Sequence, residues 1–125
     1  MRRATSALRY KRDIEDVQDM YADNFLENAR PVWFRSVTDR EDMLLEEHET
    51  NWSHWGFIAE DLHEIEPRLV DYRIDEDGNQ IPDGVQYDRV PVLLTNIVKR
   101  QRDTIAQMQS SLEELQARIA ALEAN

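Results

Sequence analysis

A serine and a lysine stand five positions apart near the start of the chain, in Ser6-Ala7-Leu8-Arg9-Tyr10-Lys11. A serine hydroxyl is a weak nucleophile until a base takes its proton. A lysine serves as that base only when burial or neighbouring cations leave its amine neutral. On one ideal helix this spacing would point the two side chains well apart. Ser6 must therefore sit at or before a helix start, as a capping residue would, with Lys11 curling back or reaching a neighbouring protomer. Spacing alone more often means a plain capping serine and a solvated lysine. If Ser6 does attack, the carbonyl within easiest reach is that of Thr5, through a five-membered ring that converts the amide to an ester open to water; its own carbonyl would need a more strained ring. The bond at stake is then Thr5-Ser6, with residues 1–5 as the stub of an upstream segment.

Other reactive-looking groups have simpler readings. His48, His54 and His63 lack the spacing of metal ligands with a carboxylate partner, so neither a metal nor a cofactor is expected. His54 reads as a strand or pocket residue that could also orient Lys11. Asp75-Glu76-Asp77-Gly78-Asn79 has its glycine too early for a calcium loop, and Gln86 stands where the bidentate glutamate belongs; a turn is expected. Trp33, Trp52 and Trp55 are expected to pack a small aromatic core. With no cysteine, the chain has no disulfide, thiol nucleophile or cysteine zinc site. A net charge of -11 repels phosphate backbones, and the patch Lys99, Arg100, Arg102 reads as a solvated helix face, so no nucleic-acid partner is expected. No apolar run approaches the roughly 18 residues of a membrane span, and no apolar stretch follows the basic start as in a signal peptide; the chain reads as soluble.

The elements that must hold the pair can be read from periodicity. Tyr10, Ile14, Val17, Tyr21 and Phe25 recur every three or four residues with acids between them, which predicts an amphipathic helix from about Ala7 to Asn28. Val32-Trp33-Phe34 predicts a strand after Pro31, and Trp52 to Ile58 a second strand pairing with it. Between them, Arg40 to Asn51 is dense in acid and reads as an exposed arm. Ala59 to Glu66 predicts a short helix ended by Pro67. Leu69 to Ile74 and Val85-Gln86-Tyr87 predict a hairpin, with Gly78 or Asn79 supplying the positive φ of its turn.

From about residue 90 to 125 the pattern changes to 3,4 spacing. Ile105, Leu112 and Ile119 form one series, Met108, Leu115 and Leu122 the other, and Leu94, Val98 and the polar Gln101 extend it backwards. A lone helix with so narrow an apolar stripe has nothing to bury it against, so it should associate with copies of itself. Isoleucine and leucine here leave dimer and trimer open; the polar Gln101 layer would fix register and strand number at some cost in stability. With 41% apolar and 33% charged residues, a chain of 125 has little to spare for a deep closed pocket, so it is one domain with a helical extension. The expected class is α+β: an N-terminal helix, a small antiparallel sheet with a hairpin, and a long C-terminal helix in a coiled coil.

Several short pieces then line up in one order. The opening Ser6 to Ile14, Pro31-Val32-Trp33-Phe34, Gly56-Phe57-Ile58-Ala59-Glu60-Asp61-Leu62, Pro67-Arg68-Leu69-Val70 and Gln86-Tyr87-Asp88-Arg89-Val90 resemble, in sequence, the phage intramolecular chaperone auto-processing domains of the S74 peptidase family. Glu60 stands where that family commonly has glutamine. The resemblance covers about 115 residues from Ser6 onward, and residues 6–125 are expected to form the domain. It implies a homotrimer that folds and aligns the upstream stem of its own parent, a tail fibre, tailspike or appendage protein, and then cuts itself off once. Ser6 and Lys11 would be the catalytic dyad, with His54 and Glu60 as candidate supporting residues. It also implies assembly in the host cytoplasm and a parent carried in the virion tail. The alternative is a permanent trimeric tip that never cleaves.

Overall fold

The computed structural model describes residues 5–37 and 53–125. The acidic arm, His48, Trp52 and residues 1–4 of the stub lie outside the described residues.

The N-terminal helix is much shorter than its periodicity predicts. Helix α1 spans Asp19–Asn28, starting with an acid in its first turn, where a carboxylate suits the positive helix end, and closing on Ala29, whose N–H donates to Phe25 O (2.8 Å) two residues before Pro31. Ahead of it come only a 3₁₀ turn, Leu8–Tyr10, and a strap through residues 11–18 with neither helix nor strand. The reason is burial. Ala22 and Phe25 enter the core, whereas Tyr10 and Ile14 face solvent, and a helix of this length is held by its buried face more than by propensity.

Strands β1 (Val32–Arg35) and β2 (Ser53–Gly56) pair antiparallel, with Trp33 opposite Trp55 and Phe34 opposite His54. Helix α2 (Ala59–Ile65) follows; Glu60 and Asp61 occupy its first turn, and Ala59 and Leu62 are buried. Its last carbonyls are partly met from outside, since Asn24 of α1 donates from Nδ2 to Ile65 O (3.0 Å). The turn Pro67–Leu69 is braced by Glu66, which accepts from Arg68 N and from Arg68 Nε (2.6 Å). The same carboxylate and a hydrogen bond with Tyr21 raise the Arg68 guanidinium above its ordinary value, Tyr21 contributing most.

The hairpin pairs β3 (Val70–Ile74) with β4 (Gln80–Val85), with a register shift between Asp71 and Tyr72. Asp75 Oδ1 accepts from Asp77 N (2.9 Å) and Asn79 N (2.8 Å), and Gly78 takes the positive φ of 84°. The second strand therefore lies earlier than Val85-Gln86-Tyr87, despite Pro82 within it. Tyr87–Arg89 instead forms a 3₁₀ turn leading into α3. Among the described residues the strands make two two-stranded ladders, β1–β2 and β3–β4.

Helix α3 runs Val90–Glu123, about 50 Å, with Pro91 in its first turn, where a missing N–H costs nothing. Its first two turns close the core: Val90, Leu93 and Ile97 meet Ala22, Phe25, Ala59, Leu62, Leu69 and Val70. Leu62, at 0% exposure, is the centre. Beyond Arg100 every residue of α3 is exposed. The stripe residues Leu94, Val98, Ile105, Met108, Leu112, Leu115, Ile119 and Leu122 are 42–74% exposed, and Gln101 lies exposed in line with them. Among the described residues, no helix is long and apolar enough to cross a membrane.

Candidate active site

Ser6 and Lys11 meet across the 3₁₀ turn. Tyr10 N donates to Ala7 O and Lys11 N to Leu8 O, both at 3.0 Å, so the backbone folds tightly between the two residues. Lys11 then leaves in extended geometry (φ -126°, ψ 148°), and its side chain turns back until Nζ lies 2.6 Å from Ser6 Oγ. Nζ also donates to the Ser6 carbonyl oxygen. Ser6 does not cap the turn: Ala7 holds the N-cap position and no side chain caps it. Nor does α1 carry the serine at its start, because the strap intervenes. Lys11 curls back within its own chain.

Just past Lys11 the chain reverses through Asp13, at a φ of 55°. Aspartate is among the few side chains that accept this left-handed geometry at modest cost. Arg12 pairs with Asp13 at 3.6 Å, and Arg9 lies over the Tyr10 ring at 4.6 Å while donating to its hydroxyl (3.0 Å). Both Ser6 and Lys11 are exposed. A lysine base needs desolvation, and the described residues leave Lys11 exposed.

The other expected site residues lie elsewhere. His54 faces Phe34 across the β1–β2 ladder, with the rings 5.4 Å apart, and Glu60 stands in the first turn of α2. The hydrogen bonds from Lys11 Nζ go to Ser6 Oγ and to the Ser6 carbonyl oxygen. His63 Nδ1 lies 2.7 Å from Tyr72 Oη, joining α2 to β3. Trp33 and Trp55 are not core: they are 62% and 91% exposed on the β1–β2 ladder, and Trp52 lies outside the described residues. They border an open groove of about 560 Å³ with Pro31, Phe57 and Tyr87, which contains neither Ser6 nor Lys11.

Two contacts escaped the sequence reading. Tyr87 Oη accepts from Phe57 N (3.1 Å) and lies against Gly56, so the Gly56 and Tyr87 pieces are one joint. Their separation of about thirty residues carries no periodic signal. The basic patch is the second: Arg100 donates from Nη2 to Asp23 (2.7 Å) and from Nε to Asn96 Oδ1 (2.8 Å), while Arg102 pairs with Asp103. Hydrogen bonding to Asp23, reinforced by the charge of Asp19, raises the Arg100 guanidinium above its usual value.

A comparison with curated proteins finds no match. The family model described as chaperone of endosialidase, Peptidase S74, matches residues 6–71, from Ser6 through both ladder strands and α2 to the start of β3. That match spans more than half of the chain and begins on the serine that faces the lysine; the chain belongs to the chaperone of endosialidase family.

Proposed function

We propose that this domain trimerises through α3, holds three parent chains in register while their stem folds, and then releases itself by cutting Thr5-Ser6. The observation that carries the reading is the 2.6 Å contact between Lys11 Nζ and Ser6 Oγ. Across that distance a neutral lysine accepts the hydroxyl proton. Oγ then attacks the Thr5 carbonyl carbon, the C–N bond breaks as the amide nitrogen takes the proton back from Lys11, and the acyl group moves to oxygen. Water hydrolyses the ester to a Thr5 carboxylate and a free Ser6 hydroxyl. The cut happens once per chain. The family match starting at Ser6 and the exposed α3 stripe support the two halves of the reading, nucleophile and assembly.

Trimerisation raises the local concentration of the stems and offsets the entropy of bringing them together. Cutting then makes the help irreversible, so the stem is held by its own unfolding barrier. The same association can bury the exposed dyad, which ties chemistry to assembly.

Intact mass and N-terminal sequencing after assembly test this reading. Wild type is expected to lose residues 1–5 and begin with Ser6. Ser6→Ala and Lys11→Ala are expected to fold and stay whole. Lys11→Arg is not expected to rescue, because guanidinium stays charged and cannot accept the proton. A correctly folded trimer that stays whole would leave the permanent-tip reading standing; cutting by Ser6→Ala would mean another nucleophile.

A further inference from the structure

At its C-terminal end the strap that carries Lys11 meets α3. Asn96, half-buried on α3, donates from Nδ2 to Asp19 Oδ1 (3.0 Å) and, at 3.4 Å, to the carbonyl of Val17, the next-to-last strap residue. Its Oδ1 is held by Arg100 Nε at 2.8 Å. Arginine can only donate, so Arg100 fixes which end of the Asn96 amide faces it and thereby turns the NH₂ toward the strap. Arg100 is in turn fixed by Asp23 at 2.7 Å and Asp19 at 3.4 Å. The clamp sits immediately before Gln101, where α3 leaves the body.

We infer that Asn96 and Arg100 are positioning residues for self-cleavage: they moor the strap to the oligomerising helix, so that ordering α3 also places Ser6 and Lys11. This rests on the self-cleavage reading. The pairs are exposed or half-exposed, so they add little to global stability. Their effect falls on geometry, where a displacement of about 1 Å can slow a reaction about a hundredfold.

The test is Asn96→Asp. The new carboxylate still accepts from Arg100 but cannot donate to Val17 O, and it repels Asp19. In trimers of wild-type mass and melting temperature, the first-order loss of residues 1–5 should slow by about ten- to a hundredfold. Arg100→Lys, which keeps the charge but loses the fork, should slow it too. Asp19→Asn combined with Asn96→Asp exchanges donor and acceptor across the 3.0 Å contact and removes the repulsion, but leaves the Val17 carbonyl without its donor, so it should recover the rate only in part. Amide exchange over residues 12–20 gives a second reading that needs no cleavage: faster in Asn96→Asp, and slowed again only in part in the double variant, where Val17 O still lacks its donor. Wild-type exchange in Asn96→Asp overturns the mooring, and wild-type cutting rates overturn the positioning role. A wild-type chain that never cuts, with the exchange differences present, sinks the cleavage reading and the positioning role while leaving the mooring in place.

Discussion

Gly56→Ala is the substitution whose cost the structure specifies best. A Cβ built on Gly56 overlaps Tyr87 Oη and comes within 3.3 Å of the Phe34 ring. Either β2 shifts away from β1, disturbing the Val32–Gly56 pair, or Tyr87 withdraws. Withdrawal gives up the bond from Phe57 N and the Phe57–Tyr87 ring contact at 6.4 Å. Overpacking of this kind costs about 1–3 kcal/mol and the lost hydrogen bond about 0.5–1.5 kcal/mol. Tyr87 is half exposed and water can replace its bond, so about 2 kcal/mol is expected, a fall in Tm of about 8 °C at roughly 4 °C per kcal/mol. Urea and thermal melts at fixed protomer concentration measure it, since assembly makes the midpoint concentration-dependent. Tyr87→Phe alone should cost about 1 kcal/mol, and adding Gly56→Ala to it should cost almost nothing more, because the clashing oxygen is gone; the coupling should be about 1–2 kcal/mol. Strict additivity, or a Gly56→Ala chain that melts with wild type, would refute the claim that the glycine is there for Tyr87.

Leu112→Asp or Leu115→Asp would bury a ring of like charges in one layer of the proposed bundle, so light scattering should give a monomer, and residues 1–5 should stay attached. Wild-type cutting by that monomer would show that assembly does not gate the chemistry. Gly78→Ala places a side chain at φ 84° in the β3–β4 turn and should lower stability by about 1 kcal/mol in urea melts; no change would mean the turn relaxes.

Local chemistry was legible wherever a residue's role depends on its neighbours in sequence. Pro67 stopping α2, Gly78 turning the hairpin, and Val32-Trp33-Phe34 forming a strand are of that kind. The stretch from Ala7 to Gln18 misled, because Tyr10 and Ile14 share helical spacing with Val17 yet stay exposed, while Val17 lies beside Tyr21, Leu69, Val92 and Leu93; periodicity reports a face but not its partner. Pro82 and Gly84 hid β4 by breaking its alternation, and the register shift at Asp71 and Tyr72 is how the ladder absorbs them. Ser6 and Lys11 were legible as residue types. Their 2.6 Å approach was not, since it depends on a 3₁₀ turn that no spacing rule supplies. Asn96 had no signal at all; an asparagine on a helix gains meaning only from what lies across from it.

On α3, Leu93 and Ile97 face the body and Leu94 and Val98 face away from it, so a single shaft carries two keyed flats set about 100° apart by the helical pitch. No loop lies between them to absorb an error. In the proposed bundle, the rotational phase of each body is therefore written into the register between these flats. Inserting one residue between Val98 and Ile105 would turn the distal stripe by about 100° against Leu94 and Val98, so a bundle kept on the distal stripe would swing the body, with its strap and serine, and lose those two residues from its seam.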